Sequence, residues 1–147
     1  MVQRRYPPTP ILSACICVWD SDRVLLAQRT RAPSAGMWAV PGGRVDVGET
    51  LEAAARRELR EETALSVGPL TFVDHVEVIH RDTDGRAETH YVIAMFAAHY
   101  GGGEPVAGDD AGAVRWFHRS ELREGAGFTS NTLRIGVAAR DALGLDR

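Results

Sequence analysis

Between Gly43 and Leu65 a glycine-bounded turn runs into a helix whose acids stand where apolar residues belong. At about 100° per residue, with Leu51 at zero, Leu51, Ala54, Ala55 and Leu65 share one face. Glu58 and Glu62 fall about 20° either side of the centre of that face, with Glu61 at its edge, whereas Arg56 and Arg60 point the opposite way. An ordinary charged surface helix pairs its acids with bases. Here Glu58 and Glu62 are a like-charge i,i+4 pair with Glu61 beside them, which repels itself in water and costs more when partly buried. A divalent cation reverses the sign of that cost, and Mg²⁺ takes carboxylate oxygen while keeping positions open for water and phosphate. Ahead of the helix, Pro41-Gly42-Gly43 ends a strand and Asp46-Val47-Gly48-Glu49 turns into Thr50, an N-cap residue. The backbone carbonyl of Gly43 is a candidate metal ligand, and the helix N-terminus favours anions.

The elements around this helix set its surroundings. Ile11–Trp19 and Arg23–Gln28 read as a hairpin about Asp20-Ser21-Asp22, and Trp38–Val40 as a short strand. Helix is expected from Leu51 to about Leu65. Leu70–Ile79 and Thr89–Ala98 are expected to pair about Asp82-Thr83-Asp84-Gly85. Ala113–His118 reads as a last strand, and Thr129–Leu143 has helical spacing. Strands, helix, strands, helix imply an α/β (α+β) chain, an α/β/α sandwich with a mixed central sheet. The 147 residues suit a single domain over 1–147, with 1–10 as a flexible N-terminal tail.

Composition removes several chemistries. All 17 basic residues are arginine, so neither a Schiff-base lysine nor a P-loop lysine exists, and any phosphate grip must come from arginine, backbone N–H groups or a metal. A net charge of −3 gives no basic face for a nucleic-acid polymer. Cys15 and Cys17, two apart on one strand, share a face, which suits reduced core thiols better than a disulfide or a zinc site. No apolar run reaches the roughly 18 residues that span a bilayer. The expectation is a cytoplasmic protein without a membrane partner, with a homodimer left open.

Gly43, Glu49 and Arg57-Glu58-Leu59-Arg60-Glu61-Glu62-Thr63-Ala64-Leu65 together resemble the box of the Nudix hydrolases. The one departure is Ala64, where the family carries glycine. Glycine there suits a left-handed helix end. An alanine forced into that conformation costs about 1 kcal/mol; otherwise the helix runs on. Trp38 before Pro41-Gly42-Gly43, and Gly103-Glu104-Pro105 with Gly108-Asp109-Asp110 before Trp116, are also similar to the family.

The resemblance implies attack by water on a diphosphate, assisted by Mg²⁺ or Mn²⁺. It implies that Glu58, Glu61 and Glu62 hold the metal with Gly43, and that Asp109 or Asp110 adds a ligand or base. Glu58 or an acid of the 109–110 loop would take the proton. Arg57 would orient Glu49 or Glu61 rather than touch substrate. Glu49 itself belongs to the substrate-binding candidates. Arg29, ending the second strand, is a candidate phosphate contact or a chance strand end. Asn131 is a base-reading residue or a helix N-cap. Phe72, Tyr91, Phe96, Phe117 and Phe128 are candidates to stack on a base or to form core. His75, His80, His90, His99 and His118 show no ligand spacing. The implied substrate is a small nucleotide, an ADP-ribose-like nucleoside diphosphate derivative. The alternatives are an oxidised or non-canonical nucleoside triphosphate and, more remotely, a non-catalytic ligand sensor.

Overall fold

The computed structural model describes residues 3–31, 34–109 and 111–145. Its elements are β1 (Ile11–Asp20), β2 (Arg23–Arg29), β3 (Trp38–Ala39), β4 (Gly42–Arg44), α1 (Leu51–Thr63), β5 (Thr71–Arg81), β6 (Ala87–His99), β7 (Ala111–His118) and α2 (Thr132–Ala142). The alternation along β1 organises them. Ala14, Ile16 and Val18 face one way and Cys15, Cys17 and Trp19 the other, and all six are buried. The first set packs with Ala54, Ala55 and Leu59 of α1. The second packs with Ile135 and Ala139 of α2. A strand apolar on both faces is thus the middle layer of an α/β/α sandwich.

The sheet has seven strands in the order β3-β2-β1-β6-β5, with β4 on β1 and β7 on β2. It is mixed, because β1 runs parallel to β6 from Ile11↔Tyr91 to Trp19↔His99 while the other pairs are antiparallel. One edge of β1 is shared. β2 holds it only at Trp19↔Val24 and Asp20↔Arg23, and β4 takes it at Ser13↔Arg44, Ala14↔Gly43 and Cys15↔Gly42. Beyond that split β2 pairs with β7 and β3 instead. The short β4, read from sequence only as the turn after a strand, is therefore a sheet strand lying beneath α1.

Several boundaries differ from expectation. α1 stops at Thr63 because Ala64 is left-handed (φ 63°, ψ 7°) and returns its N–H to the Arg60 carbonyl at 2.9 Å. The chain then turns so that Leu65, expected on the helix, is buried just past it. α2 begins at Thr132 rather than Thr129, because Thr129 gives its N–H to the Trp38 carbonyl at 3.0 Å instead of starting a helical ladder. Ahead of β1, the segment expected as a tail is tied to the β5–β6 hairpin. The Tyr6 N–H donates to the Glu88 carbonyl at 2.7 Å, and its hydroxyl to Asp82 at 2.7 Å. Both cysteines are free and buried on the α2 side, where burial pushes the Cys15 thiol up to about 12. Among the described residues no helix is long and apolar enough to cross a membrane.

Candidate metal-binding active site

α1 starts where sequence places it, with the Thr50 hydroxyl accepting the Ala53 N–H at 3.0 Å. Its buried residues are Ala54, Ala55, Leu59 and Thr63, so the buried arc is turned toward Leu59 from the centre that the acids mark. Glu58 sits at the near edge of that arc, its side chain 13% exposed, and Glu61 lies outside it at 42%.

β4 passes directly under Glu58. A Cβ on Gly43 would lie 2.5 Å from Glu58 Oε1 and 2.7 Å from Oε2, so only glycine lets the carboxylate rest on this strand. The neighbouring Gly42 donates its N–H to Glu62 Oε2 at 3.1 Å. Gly42 is equally constrained, since a Cβ there would lie 2.5 Å from the Ala14 carbonyl oxygen.

Arg57 holds the acids in place. Its Nε and Nη2 grip the two Glu49 oxygens, each at 2.8 Å, in a forked pair. Nη1 donates to Glu58 at 2.9 Å and Glu61 at 3.2 Å, and Nη2 also reaches the Arg44 carbonyl at 3.0 Å. Glu49, expected at the substrate, thus has both oxygens engaged by Arg57. That pairing, helped by the Asp46 N–H, takes its carboxyl down to about 2. Glu58 moves the other way. Burial raises its proton affinity above the ordinary carboxylate range, despite the opposing hydrogen bond from Arg57.

The loop between β6 and β7 completes the group. Its backbone docks on the end of α1, where helix carbonyls have no internal partner. Val106 donates to the Thr63 carbonyl at 2.8 Å and Gly108 to the Glu62 carbonyl at 3.2 Å. Gly108 sits so close that a Cβ would lie 2.6 Å from the Glu61 carbonyl oxygen. The docking delivers Asp109, itself left-handed (φ 52°), to the acids. One ligand oxygen each from Glu58, Glu61 and Asp109 lies within 4.8 Å of the others. Three carboxylates, one of them raised by burial, form an all-oxygen donor set that suits a hard divalent cation such as Mg²⁺ or Mn²⁺.

The remaining candidates are placed as follows. Glu62 turns an oxygen to Gly42 and is not in the tight group. Asp110 lies outside the described residues. Arg29 is exposed at the end of β2 and pairs in register with Ala111, two residues beyond Asp109, so it stands beside the docked loop. Asn131 precedes α2 without making a side-chain cap, which leaves its amide available. Of the aromatics, Phe96 and Phe117 are core. Gly108 was read from sequence only as part of the Gly108-Asp109-Asp110 loop, because its constraint comes from a helix more than forty residues earlier.

Comparison with known proteins identifies the family. Residues 9–134 match the NUDIX domain family. The chain is 37% identical to the oxidized purine nucleoside triphosphate hydrolase of Danio rerio over 74% of this chain and 67% of that protein. It is 35% identical to an ADP-ribose pyrophosphatase of Methanocaldococcus jannaschii over 69% of this chain and 57% of the relative. Among solved structures, a MutT NUDIX hydrolase from Burkholderia pseudomallei superposes with a TM-score of 0.75 at 31% identity, covering 88% of this chain and 98% of that one.

Proposed function

The chain belongs to the Nudix family, a pyrophosphohydrolase by that membership, and we propose that Glu58, Glu61 and Asp109 hold a divalent cation at which the diphosphate bond of a small nucleotide is hydrolysed. The observation that carries this reading is the three-carboxylate group, assembled from α1 and a loop docked on its end. A divalent cation bound there supplies polarisation of phosphoryl oxygens and a lowered pKa for attached water.

The chain's own residues do the rest. Arg57 fixes Glu49, Glu58 and Glu61 relative to one another, which keeps the acids in one arrangement before substrate arrives. Gly43 lets Glu58 lie flat against β4. Glu58, resting against β4 at the edge of the acid group, is the residue we assign to accept the proton of the attacking water. Glu62 is braced by the Gly42 N–H.

Two substrate classes compete. The sequence points first to an ADP-ribose-like nucleoside diphosphate derivative, and the M. jannaschii relative supports that class. A purine nucleoside triphosphate is favoured by Asn131, whose amide makes no cap and can both donate to and accept from a base edge. It is favoured also by the D. rerio relative, which matches over a larger share of its own length. We place the triphosphate first. The deciding experiment compares kcat/KM for 8-oxo-dGTP, common nucleoside triphosphates and ADP-ribose with Mg²⁺. Release of pyrophosphate from a triphosphate, at ten times the efficiency shown on ADP-ribose, supports this order. AMP and ribose 5-phosphate as the favoured products reverse it. No hydrolysis of any of them overturns the enzymatic reading.

A further inference from the structure

β5 is the outermost strand of the sheet, paired with β6 and, among the described residues, with no strand beyond it. Which of its backbone groups face outward follows from the strand next to it. The Tyr100 N–H donates to the Trp19 carbonyl at 2.8 Å, so at the end of β6 an even-numbered residue turns toward β1. Backbone groups alternate in direction along a strand. Tyr91, Ile93 and Met95 therefore turn toward β5, where they meet Val78, Val76 and Asp74. The alternate residues of β5, His75, Glu77 and Ile79, are left with N–H and C=O groups that point away from the sheet. The His75 N–H agrees with this, since it donates to its own neighbour, Asp74 Oδ1, at 2.8 Å.

An open row of this kind accepts another extended chain, and native sheets guard it with proline, lysine, bulges or a covering segment. Over 74–80, β5 pairs with β6 without a bulge and carries neither proline nor lysine. His75, Glu77 and Ile79 are all exposed. The charges on this stretch select its partner. Two copies of β5 related by a two-fold axis run antiparallel, and the outward-facing residues of one exchange both backbone bonds with those of the other. With the axis at Val76, His75 of each copy stands opposite Glu77 of the other. With the axis at Glu77 the two glutamates face each other, at His75 the two imidazoles do, and at Val78 each glutamate faces Ile79. Within the bulge-free stretch only the first register sets an acid opposite an imidazole, and symmetry does so twice. Opposite charges across a ladder stabilise it and like charges destabilise it. A carboxylate also accepts from an imidazole N–H whichever charge the ring carries. Within one chain His75 already stands 3.5 Å from Glu77, so the pairing joins two such couples into one cluster.

We propose that two copies of this chain associate edge to edge through β5, antiparallel about a two-fold axis at Val76, joining two seven-stranded sheets into one. The His75 N–H then exchanges the Asp74 side chain for the carbonyl of the partner's Glu77. β5 carries none of the residues assigned to the cation, so this reading and the hydrolase reading fail separately.

Sedimentation equilibrium of the full chain, at concentrations reaching about 1 mM so that a millimolar Kd is sampled, is expected to show monomer and dimer in exchange. His75→Glu and Glu77→His each remove the attraction at both symmetric positions and should weaken the dimer at least about threefold. The double exchange of His75→Glu with Glu77→His restores an acid opposite an imidazole and should recover most of the affinity. Neither a damaged fold nor an interface elsewhere gives that recovery. Hydrogen exchange on the wild type, which needs no variant, should slow at the His75 and Glu77 amides as concentration rises. A wild type that stays monomeric, single variants that dimerise as the wild type does, a double exchange no better than the singles, or amides at 75 and 77 indifferent to concentration would each overturn the proposal.

Discussion

Gly43 and Glu58 fit together so closely that a methyl group on the one would occupy the space of the other's carboxylate. The contact joins β4 to α1 at the acid group, so it can be probed without touching a charge. Gly43→Ala is expected to fold, because the obstructing atoms are the far end of a movable side chain. Glu58 must then swing away, and activity with Mg²⁺ should fall at least about tenfold, the order seen when support around a metal site is lost. Gly85→Ala, at a hairpin turn with φ 82° and open space around it, serves as the control. It should lower the melting temperature through backbone strain and leave kcat alone. Equal activity in Gly43→Ala and wild type would remove this contact from the mechanism.

Ala64 gives a prediction of opposite sign. Its left-handed conformation burdens an L-residue by about 1–2 kcal/mol, while glycine costs about 0.5–1 kcal/mol more than alanine in unfolded-chain entropy. Ala64→Gly should therefore stabilise by up to about 1 kcal/mol in urea melts, with kcat unchanged because Ala64 carries no ligand. Destabilisation would mean that the helix end relaxes away from this geometry.

Metal dependence follows from the carboxylate group. EDTA should abolish hydrolysis, and Mg²⁺ or Mn²⁺ should restore it. Glu61→Gln should reduce kcat by at least about 100-fold, yet in metal-free buffer it should melt no lower than wild type, because one repelling charge is gone. Full turnover without metal would contradict the site.

The Tyr6–Asp82 hydrogen bond links stability to pH at both extremes. The Tyr6 hydroxyl holds the Asp82 carboxyl below its ordinary value. That contribution is present above the unfolded carboxylate pKa and lost as pH falls through the lowered folded value. The same bond holds the Tyr6 phenol above 10.0. Its contribution is present below that value and lost as pH rises through the raised one. Tyr6→Phe should melt below wild type near neutrality, with the gap closing in acid and again in strong alkali. A gap that stays constant with pH would show that the hydroxyl is not the link.

Local chemistry made much of this legible. Thr50 starts α1 by a short-range cap, and Glu58 and Glu61 are three apart on a helix, so their approach needs no tertiary information. Arg57 also lies within a turn of both glutamates. What escaped depended on distant chain. Arg56 was read only as pointing away from the acid face, but its guanidinium folds over the carbonyls of Val67 and Gly68, which only the turn after Ala64 brings near. Leu59 and Thr63 are buried because the sheet meets α1 off the centre that the acids mark. β4 is too short to show alternation. Asp109 was left unranked against Asp110, because its approach to the acids depends on where Gly108 docks; Asp110 itself lies outside the described residues.

The loop resting on the carbonyls of Glu62 and Thr63 also makes the proposed cation site depend on the finished fold. Glu58 and Glu61 are brought near each other by one helix, whereas Asp109 joins them only when the loop after β6 has docked on the end of α1. Closing so long a loop comes late, since its entropy must be met before the contacts form. A half-folded chain therefore presents two glutamates, and the three-carboxylate group belongs to the finished molecule. A divalent cation held by all three carboxylates would bind the native state and not the unfolded chain, shifting the equilibrium toward the native state according to its concentration relative to its dissociation constant.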